Sequence, residues 1–222
     1  MMKKLGSLHE NLDFKIYQEL KSMILERKLK PGDKLYQDRI ARDFGVSRTP
    51  LMCALKKLEQ EKLIQAIPRR GFFVRKFSKE EIIHIFELRE VLEGLAARRA
   101  AIHGTTVQLQ KIKSFFKQFK NLYEEIDVKQ YSDEDQSFHN YITQVGGLDL
   151  LQSIVRNYNI ITFSYRLDFM EGLIRHPRET MGEHLAIIDA ILSRQPEKAE
   201  EEMRNHLKWS RQRLAEDDKK TR

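Results

Sequence analysis

The sequence predicts a mainly α-helical protein of two domains, the first of which also carries a small β-hairpin. Three observations lead to this prediction. The 222 residues include only ten glycines and five prolines, which favours helices over a β protein rich in turns. Apolar residues recur at helical spacing along most of the chain. Basic charge is concentrated in residues 1–77, with 18 lysines and arginines against 9 acidic residues, whereas residues 78–222 carry 22 against 24.

Composition excludes several classes of protein. Apolar residues make up 41% of the chain and charged residues 33%, so a folded core is expected and extended disorder is not. Cys53 is the single cysteine, which rules out an internal disulfide and favours a reducing compartment. No apolar run reaches the roughly 18 residues of a membrane span, and residues 1–12 are too polar for a signal peptide. We therefore expect a cytoplasmic protein without a membrane partner.

The first 77 residues predict three helices followed by a hairpin. The helices are expected over about 14–28, 37–44 and 47–62, because Pro31-Gly32-Asp33 breaks the first, Gly45 ends the second and Ser47 caps the third. Two short β-prone runs, 63–67 and 72–74, then flank a basic turn that contains glycine. This order of elements is that of a winged helix-turn-helix, a DNA-binding fold.

The third helix of such a fold lies in the major groove of DNA and reads bases with its N-terminal residues. The face of this helix opposite its leucines, together with the hairpin turn, supplies the candidate DNA contacts Ser47, Arg48, Thr49, Met52, Lys56, Arg69, Arg70 and Gly71. The forked donors of Arg48 match a guanine edge, whereas Lys56 is better placed for phosphates. The alternative is that these residues are ordinary solvated charges.

Residues 78–222 predict an all-helical domain. Ser78 and Glu81 match a capping box for a helix that runs to about His103. Further helices are expected over about 106–126, 132–145, 148–169, 178–194 and 196–215. Ser132 is the expected cap of the third of these six helices, and a charged tail follows at 217–222.

Four residues of this domain form a candidate metal site. Asp135 and His139 are four positions apart and share one helix face, while His184 and His206 lie among apolar residues of the last two helices. Three imidazoles and a carboxylate suit Zn²⁺ or Ni²⁺ and leave coordination positions for water or a ligand oxygen. The alternatives are histidines that are merely hydrogen-bonded, or a metal-dependent hydrolase carrying a basic module. The hydrolase is disfavoured because the sequence has no HExxH motif.

The first domain resembles the GntR family of bacterial regulators over nearly all of residues 12–76. The resemblance is carried by Leu29–Leu35, Ile40-Ala41, Gly45–Pro50, Ala54-Leu55 and Pro68–Val74. The chain departs from the family pattern at Met52-Cys53, where Arg-Glu is common, and at Gln37, where Glu is common. The resemblance implies a homodimer that binds double-stranded operator DNA.

The second domain resembles the FCD effector domain of the FadR-type branch. The matching segments are Asp135-x3-His139, Glu183–Leu185, Met203–Leu207 and Phe86–Glu93. The resemblance implies that Asp135, His139, His184 and His206 hold one divalent metal ion, and that Arg89 binds the carboxylate of a small metabolite. The other interpretation of Arg89 is an ion pair with Glu93 one helical turn away. The whole pattern predicts a repressor with a DNA-binding domain over 1–77 and an effector and dimerisation domain over 78–222, and not an enzyme.

Overall fold

The computed structural model describes residues 12–26, 28–119, 126–147 and 173–216, together with residues 151, 152, 154, 155 and 158. The chain divides into two compact units, Met1–Lys76 and Phe77–Arg222. None of the helices in the described part is long and apolar enough to cross a membrane. The helix predicted over 148–169 lies largely outside the described residues, and the predicted tail at 217–222 lies entirely outside them.

The first unit is a winged helix-turn-helix, which confirms the predicted fold. Its helices are α1 (Leu12–Leu25), α2 (Gln37–Asp43) and α3 (Arg48–Gln60), and its strands are β1 (Lys34–Leu35), β2 (Ile64–Ile67) and β3 (Gly71–Val74). The antiparallel sheet has the order β1-β3-β2. The two-residue strand β1 was not predicted, because it is too short to show a period and exists only through pairing of Leu35 with Phe72.

The core of this unit explains which face of α3 remains outside. Leu51, Leu55 and Leu58 are completely buried on α3, which packs against α1, where Leu20 and Ile24 are also buried. Burying a leucine side chain contributes roughly 1.5–3 kcal/mol, so this face of α3 is strongly held. The polar face of α3 is thereby turned to solvent.

The second unit is helical throughout its described elements. These are α4 (Lys79–His103), α5 (Thr106–Ser114), a short 3₁₀ helix (Lys117–Phe119), α6 (Val128–Gly146), α7 (Pro177–Leu192) and α8 (Pro196–Glu216). The predicted capping box of α4 is present: Glu81 N donates to Ser78 Oγ at 3.2 Å, and Ser78 N donates to Glu81 Oε2 at 2.9 Å.

Helix α4 is the central helix of this unit and packs against α6, α7 and α8. The residues at its crossings with these helices are small, which lets the helices approach closely. Ala96, Ala97 and Ala100 are fully buried, and a Cβ added to Gly146 of α6 would lie only 1.8 Å from the carbonyl oxygen of Ala96. This close packing holds the α6 side chains beside those of α4.

Two predicted helix boundaries are wrong. Helix α5 ends at Ser114 rather than near residue 126, because Phe115 is extended and Phe116 has a φ of +59°. This break lets both rings pack on Phe138 of α6, at centroid distances of 5.6 and 5.3 Å. Residues 120–125 lie outside the described part.

Helix α6 begins at Val128 and is capped by Asp127, whose Oδ1 accepts from Gln130 N at 3.0 Å. Ser132, the predicted cap, lies one turn inside the helix. It is buried, and its hydroxyl has no hydrogen-bond partner among the described residues. Asp127 rather than Ser132 therefore caps α6, because Ser132 is buried inside the helix.

Candidate metal centre and DNA-binding surface

Three helices bring the four predicted metal-site residues together. Asp135 and His139 come from α6, His184 from α7 and His206 from α8. All four are buried, and one ligand atom from each lies within 4.8 Å of the others. Residues separated by up to 71 positions in the sequence thus form one compact cluster of nitrogen and oxygen donors.

The Nδ1 atom of each imidazole in this cluster contacts a side chain outside the four metal-site residues. Nδ1 of His139 lies 2.6 Å from Glu93 Oε2 and Nδ1 of His206 lies 2.7 Å from Glu183 Oε2. Nδ1 of His184 lies 2.9 Å from the hydroxyl of Tyr131. The Nε2 atoms are therefore the ones left for the interior of the cluster.

The Nε2 atoms of His139 and His184 lie 3.7 and 3.2 Å from Oδ1 of Asp135. Nε2 of His184 is buried, and within the described residues no partner meets it with hydrogen-bond geometry. A buried polar atom without a partner is costly, and a coordinated cation would remove that cost.

The donor set fits a divalent transition metal. Zinc binds imidazole nitrogen and carboxylate oxygen at about 2.0–2.2 Å, so two ligand atoms on one ion lie at most about 4.4 Å apart. The spread of 4.8 Å in the cluster requires only a small closure to meet this limit. An outer partner on the other ring nitrogen of each histidine is the usual companion of metal ligation.

Buried arginines surround the two outer glutamates. Arg89 Nε lies 2.6 Å from Glu93 Oε1, and Arg175 Nη1 lies 2.6 Å from Glu183 Oε1. Burial alone would raise the pKa of Glu93, but the charges of Arg89 and His139 outweigh it and lower that pKa to about 2. Burial also opposes ionisation of Glu183, yet hydrogen bonds from His206 and Arg175 lower its pKa to about 2.

Two of the three histidines are held in the neutral form. Burial is the main cause, and it lowers the pKa of His184. Burial together with the neighbouring His184 lowers the pKa of His206 to about 3. Neutral imidazoles carry the free lone pair that a metal requires. The charged residues in and around the cluster are three carboxyl residues, Asp135, Glu93 and Glu183, and two arginines, Arg89 and Arg175.

A small cavity of about 10 Å³ lies beside the cluster. The charged and metal-site side chains in its wall are Arg89, Asp135, His139, Arg175 and His206. This volume holds about one water molecule or ion and is too small for an organic acid. Of the two interpretations of Arg89, the ion pair with Glu93 is present, and the same side chain also borders the cavity.

Sequence reasoning missed most of the residues around the cluster. Glu183 adjoins His184 on α7, and its carboxylate reaches His206 on the next helix. Arg175 precedes α7 in a segment without a periodic pattern, so the sequence held no signal for it. Tyr131 sits one turn before Asp135 on α6, and that spacing could have indicated it.

Most of the candidate DNA contacts are exposed on the first unit. Met52 and Gly71 are half-buried, and the other six are exposed: Ser47, Arg48, Thr49, Lys56, Arg69 and Arg70. Arg48 and Arg70 line a groove of about 560 Å³ with three further basic residues that sequence reasoning did not select: Lys34, Arg39 and Arg42. Arg70 also lies over the ring of Phe73, at 5.5 Å from its centroid.

A winged helix-turn-helix with a basic exposed face, followed by an all-helical unit, defines a two-domain DNA-binding transcription regulator. Residues 13–74 match the family described as bacterial regulatory proteins of the gntR family, and residues 84–208 match the FCD domain. The chain belongs to the GntR family of bacterial regulators, in the group that carries an FCD domain. This confirms the family predicted from the motifs.

Similar proteins support the same class. The chain is 28% identical to the HTH-type transcriptional repressor RspR of Escherichia coli K12 over 192 residues, which is 86% of this chain and 84% of that one. It is 26% identical to the transcriptional regulator YdhC of Bacillus subtilis 168, over 86% and 85% of the two chains. These relatives are named as transcription regulators, which agrees with the family to which the chain belongs.

Solved structures show the same fold at low sequence identity. The structure of E. coli McbR/YncC superposes with a TM-score of 0.74 at 19% identity, and the match covers 96% of this chain and 99% of that one. A GntR regulator from Rhodococcus sp. RHA1 also gives 0.74, at 18% identity, and covers 91% and 97% of the two chains. These likenesses therefore support the fold of the chain, a winged unit followed by a helical unit.

Proposed function

We propose that this regulator is a homodimeric repressor whose FCD domain holds one divalent metal ion, Zn²⁺ or Ni²⁺, and senses a small carboxylate metabolite. The observation that carries the proposal is the buried cluster of Asp135, His139, His184 and His206, in which all three Nδ1 atoms have outer partners. A set of four convergent buried donors with this outer support suits a metal better than it suits ordinary core histidines.

The first domain would read operator DNA through α3. Arg48 is exposed at the start of this helix and would donate to a guanine edge in the major groove. Ser47, Thr49 and Met52 would contact neighbouring groups, and Lys56 would meet phosphate. Arg69, Arg70 and Gly71 at the wing would reach the minor groove or the backbone, with the basic groove beside them adding phosphate attraction.

A homodimer is supported by an apolar stripe on the exposed side of α4. Leu88, Val91, Leu95 and Ile102 recur at intervals of three, four and seven residues and are each 41–52% exposed. A second copy of the chain would cover this stripe. Dimeric helix-turn-helix proteins place two recognition helices on two half-sites, so a dimer formed through this stripe would serve operator binding. Repression is inferred from the name of the E. coli relative RspR.

A carboxylate effector suits the charge of the site. A divalent ion, when bound, would supply a Lewis acid with an open coordination position and would add two positive charges to the site. Arg89 and Arg175 border the cavity beside the cluster, and guanidinium groups bind carboxylates through paired donors. The cavity of about 10 Å³ must widen to admit such a ligand, so binding is expected to move the elements around it.

The route from this site to the DNA would run through α4. Arg89 and Glu93 lie on this helix, and only residues 75–78 separate its start from β3. A ligand that alters the packing of α4 would alter the spacing of the recognition helices in the dimer and so weaken operator binding. Such coupling is typically 1–3 kcal/mol and is reciprocal, so operator DNA would change the affinity for the acid by the same factor.

Calorimetry tests the proposal directly. Zn²⁺ and Ni²⁺ are titrated into metal-free protein, and mono-, di- and tricarboxylates are then titrated into the metal-loaded and the metal-free forms, with and without operator duplex. We expect about one metal per chain and acid binding that depends on the metal and weakens in Arg89→Ala. Equal acid affinity in the metal-free protein, or an unchanged affinity in Arg89→Ala, contradicts the proposal that the acid binds the metal and Arg89 together.

A further inference from the structure

We propose that Glu93 and Glu183 are positioning residues that fix the tautomer of His139 and His206, with the ring proton on Nδ1 and the lone pair on Nε2. This inference rests on the proposed metal function and extends it to residues outside the donor set. Arg89 and Arg175 then have a second role besides binding the carboxylate ligand, because each holds one of the two glutamates in place.

The first series of contacts runs from an arginine through a glutamate to a histidine and joins α4 to α6. Arg89 Nε donates to Glu93 Oε1 at 2.6 Å, and Glu93 Oε2 lies 2.6 Å from Nδ1 of His139. The Arg89 and Glu93 side chains are 3% and 0% exposed, so the carboxylate cannot turn away to solvent. A carboxylate only accepts hydrogen bonds in its ionised form, and Nδ1 of His139 must therefore carry the proton.

A second series of contacts has the same order, from an arginine through a glutamate to a histidine. Arg175 donates to both oxygens of Glu183, and Glu183 Oε2 lies 2.7 Å from Nδ1 of His206. Arg175 is held in turn by the carbonyl oxygen of His206 at 3.1 Å and by Ser210 Oγ at 3.2 Å. The same acceptor logic puts the proton of His206 on Nδ1.

The third histidine has a neutral outer partner. Nδ1 of His184 lies 2.9 Å from the Tyr131 hydroxyl, which can donate or accept, and Nε2 of the same ring lies 3.2 Å from Oδ1 of Asp135. The outer contact therefore does not fix the tautomer of His184, whereas His139 and His206 present an unprotonated Nε2 to the cluster, which is the form that binds a metal.

The isosteric change Glu93→Gln tests this inference sharply. Arg89 has only donors, so the amide oxygen of glutamine must face Arg89 and the amide NH₂ must face Nδ1 of His139. Nδ1 then becomes the acceptor, and the ring proton moves to Nε2. We expect ¹⁵N NMR of the metal-free protein at pH 8 to show this reversal for His139 alone, and zinc affinity by chelator competition to fall about 10–100-fold.

Glu90→Gln is the matched control. Glu90 also lies on α4 and is paired with an arginine, Arg211, at 2.5 Å, rather than with a histidine among the described contacts. It should leave all three tautomers and the zinc affinity unchanged. Glu183→Gln is a second, independent variant: Arg175 has only donors, so the amide NH₂ must face Nδ1 of His206, and only that ring should move its proton to Nε2.

The outcomes separate this inference from the proposed function. If His139 keeps its proton on Nδ1 in Glu93→Gln and zinc affinity stays within about twofold of wild type, the positioning role of Glu93 is wrong. If Glu93→Gln does not fold, an unchanged His206 tautomer in Glu183→Gln overturns the inference instead. A wild-type protein that binds neither Zn²⁺ nor Ni²⁺ contradicts the proposed function, and the tautomers of the metal-free protein still decide this inference.

Discussion

Arg48 at the start of α3 is paired with Asp38 of α2, and their Nη2 and Oδ1 atoms are 2.5 Å apart. Both side chains are more than 70% exposed, so the pair contributes little to stability. The pair instead orients Arg48, because the Asp38 carboxylate keeps the guanidinium at the N-terminal end of α3. That end is the part of a recognition helix that meets base edges.

The first prediction concerns Arg48. Arg48→Ala should weaken binding to an operator duplex by about 1–3 kcal/mol while affecting random-sequence DNA much less, because a bidentate contact to guanine is lost. Fluorescence anisotropy at fixed salt measures both affinities. Arg204→Ala, which removes the same charge from the second unit, is the control. Equal losses on both duplexes would identify Arg48 as a phosphate contact instead.

The second prediction concerns the metal ligands. His184→Ala should abolish metal binding, because it removes a completely buried donor from the centre of the cluster. Elemental analysis of protein purified without chelator measures the metal content, with about one equivalent expected in wild type. His84→Ala, an exposed histidine on α4, should retain full metal content. Full occupancy in His184→Ala would remove His184 from the site.

The third prediction is the pH dependence of the metal-free protein. The pKa of His206 is lowered from 6.5 to about 3 in the folded state, so below pH 6.5 the unfolded chain binds a proton that the folded chain does not. Stability is therefore complete above pH 6.5 and falls as the pH drops toward 3. The slope approaches about 1.4 kcal/mol per pH unit for this group.

Urea unfolding of the metal-free protein between pH 7.5 and 5 measures this slope. The lowered pKa of His184 acts in the same direction, and the lowered pKa values of Glu93 and Glu183 add their loss only below pH 4.5. A stability that stays flat from pH 7.5 to 5 would show that these histidines are not held neutral.

The fourth prediction compares two helical glycines. Gly146→Ala should destabilise the second unit by about 1–3 kcal/mol or more, because the new Cβ would lie 1.8 Å from the Ala96 carbonyl oxygen at the crossing of α6 and α4. Gly182→Ala on α7 meets nothing within 4 Å and should stabilise by about 0.5–1 kcal/mol through helix propensity. Thermal unfolding of the two variants should shift in opposite directions. A shared direction would contradict the described packing of α4 and α6.

Local signals explain why much of the fold could be predicted. The capping box at Ser78 and the basic turn before Gly71 are patterns within a few residues, and both are present. The end of α5 and the start of α6 were mispredicted because their positions depend on burying Phe115 and Phe116 against α6. Helical periodicity continues through both phenylalanines and carries no information about that packing.

The four residues of the candidate metal site could be listed from residue type, spacing and family resemblance, because metal chemistry restricts which side chains can serve. Their outer partners could not. Glu93 meets His139 across 46 positions and Glu183 meets His206 across 23, and glutamates are too common on helices for their sequence positions to be informative. The amino-acid pattern therefore defines the class of protein and its candidate donors, which are matters of local period and chemical type. Packing of α4, α6, α7 and α8 decides which carboxylates, arginines and hydroxyls surround those donors, because only burial brings distant groups within hydrogen-bond distance.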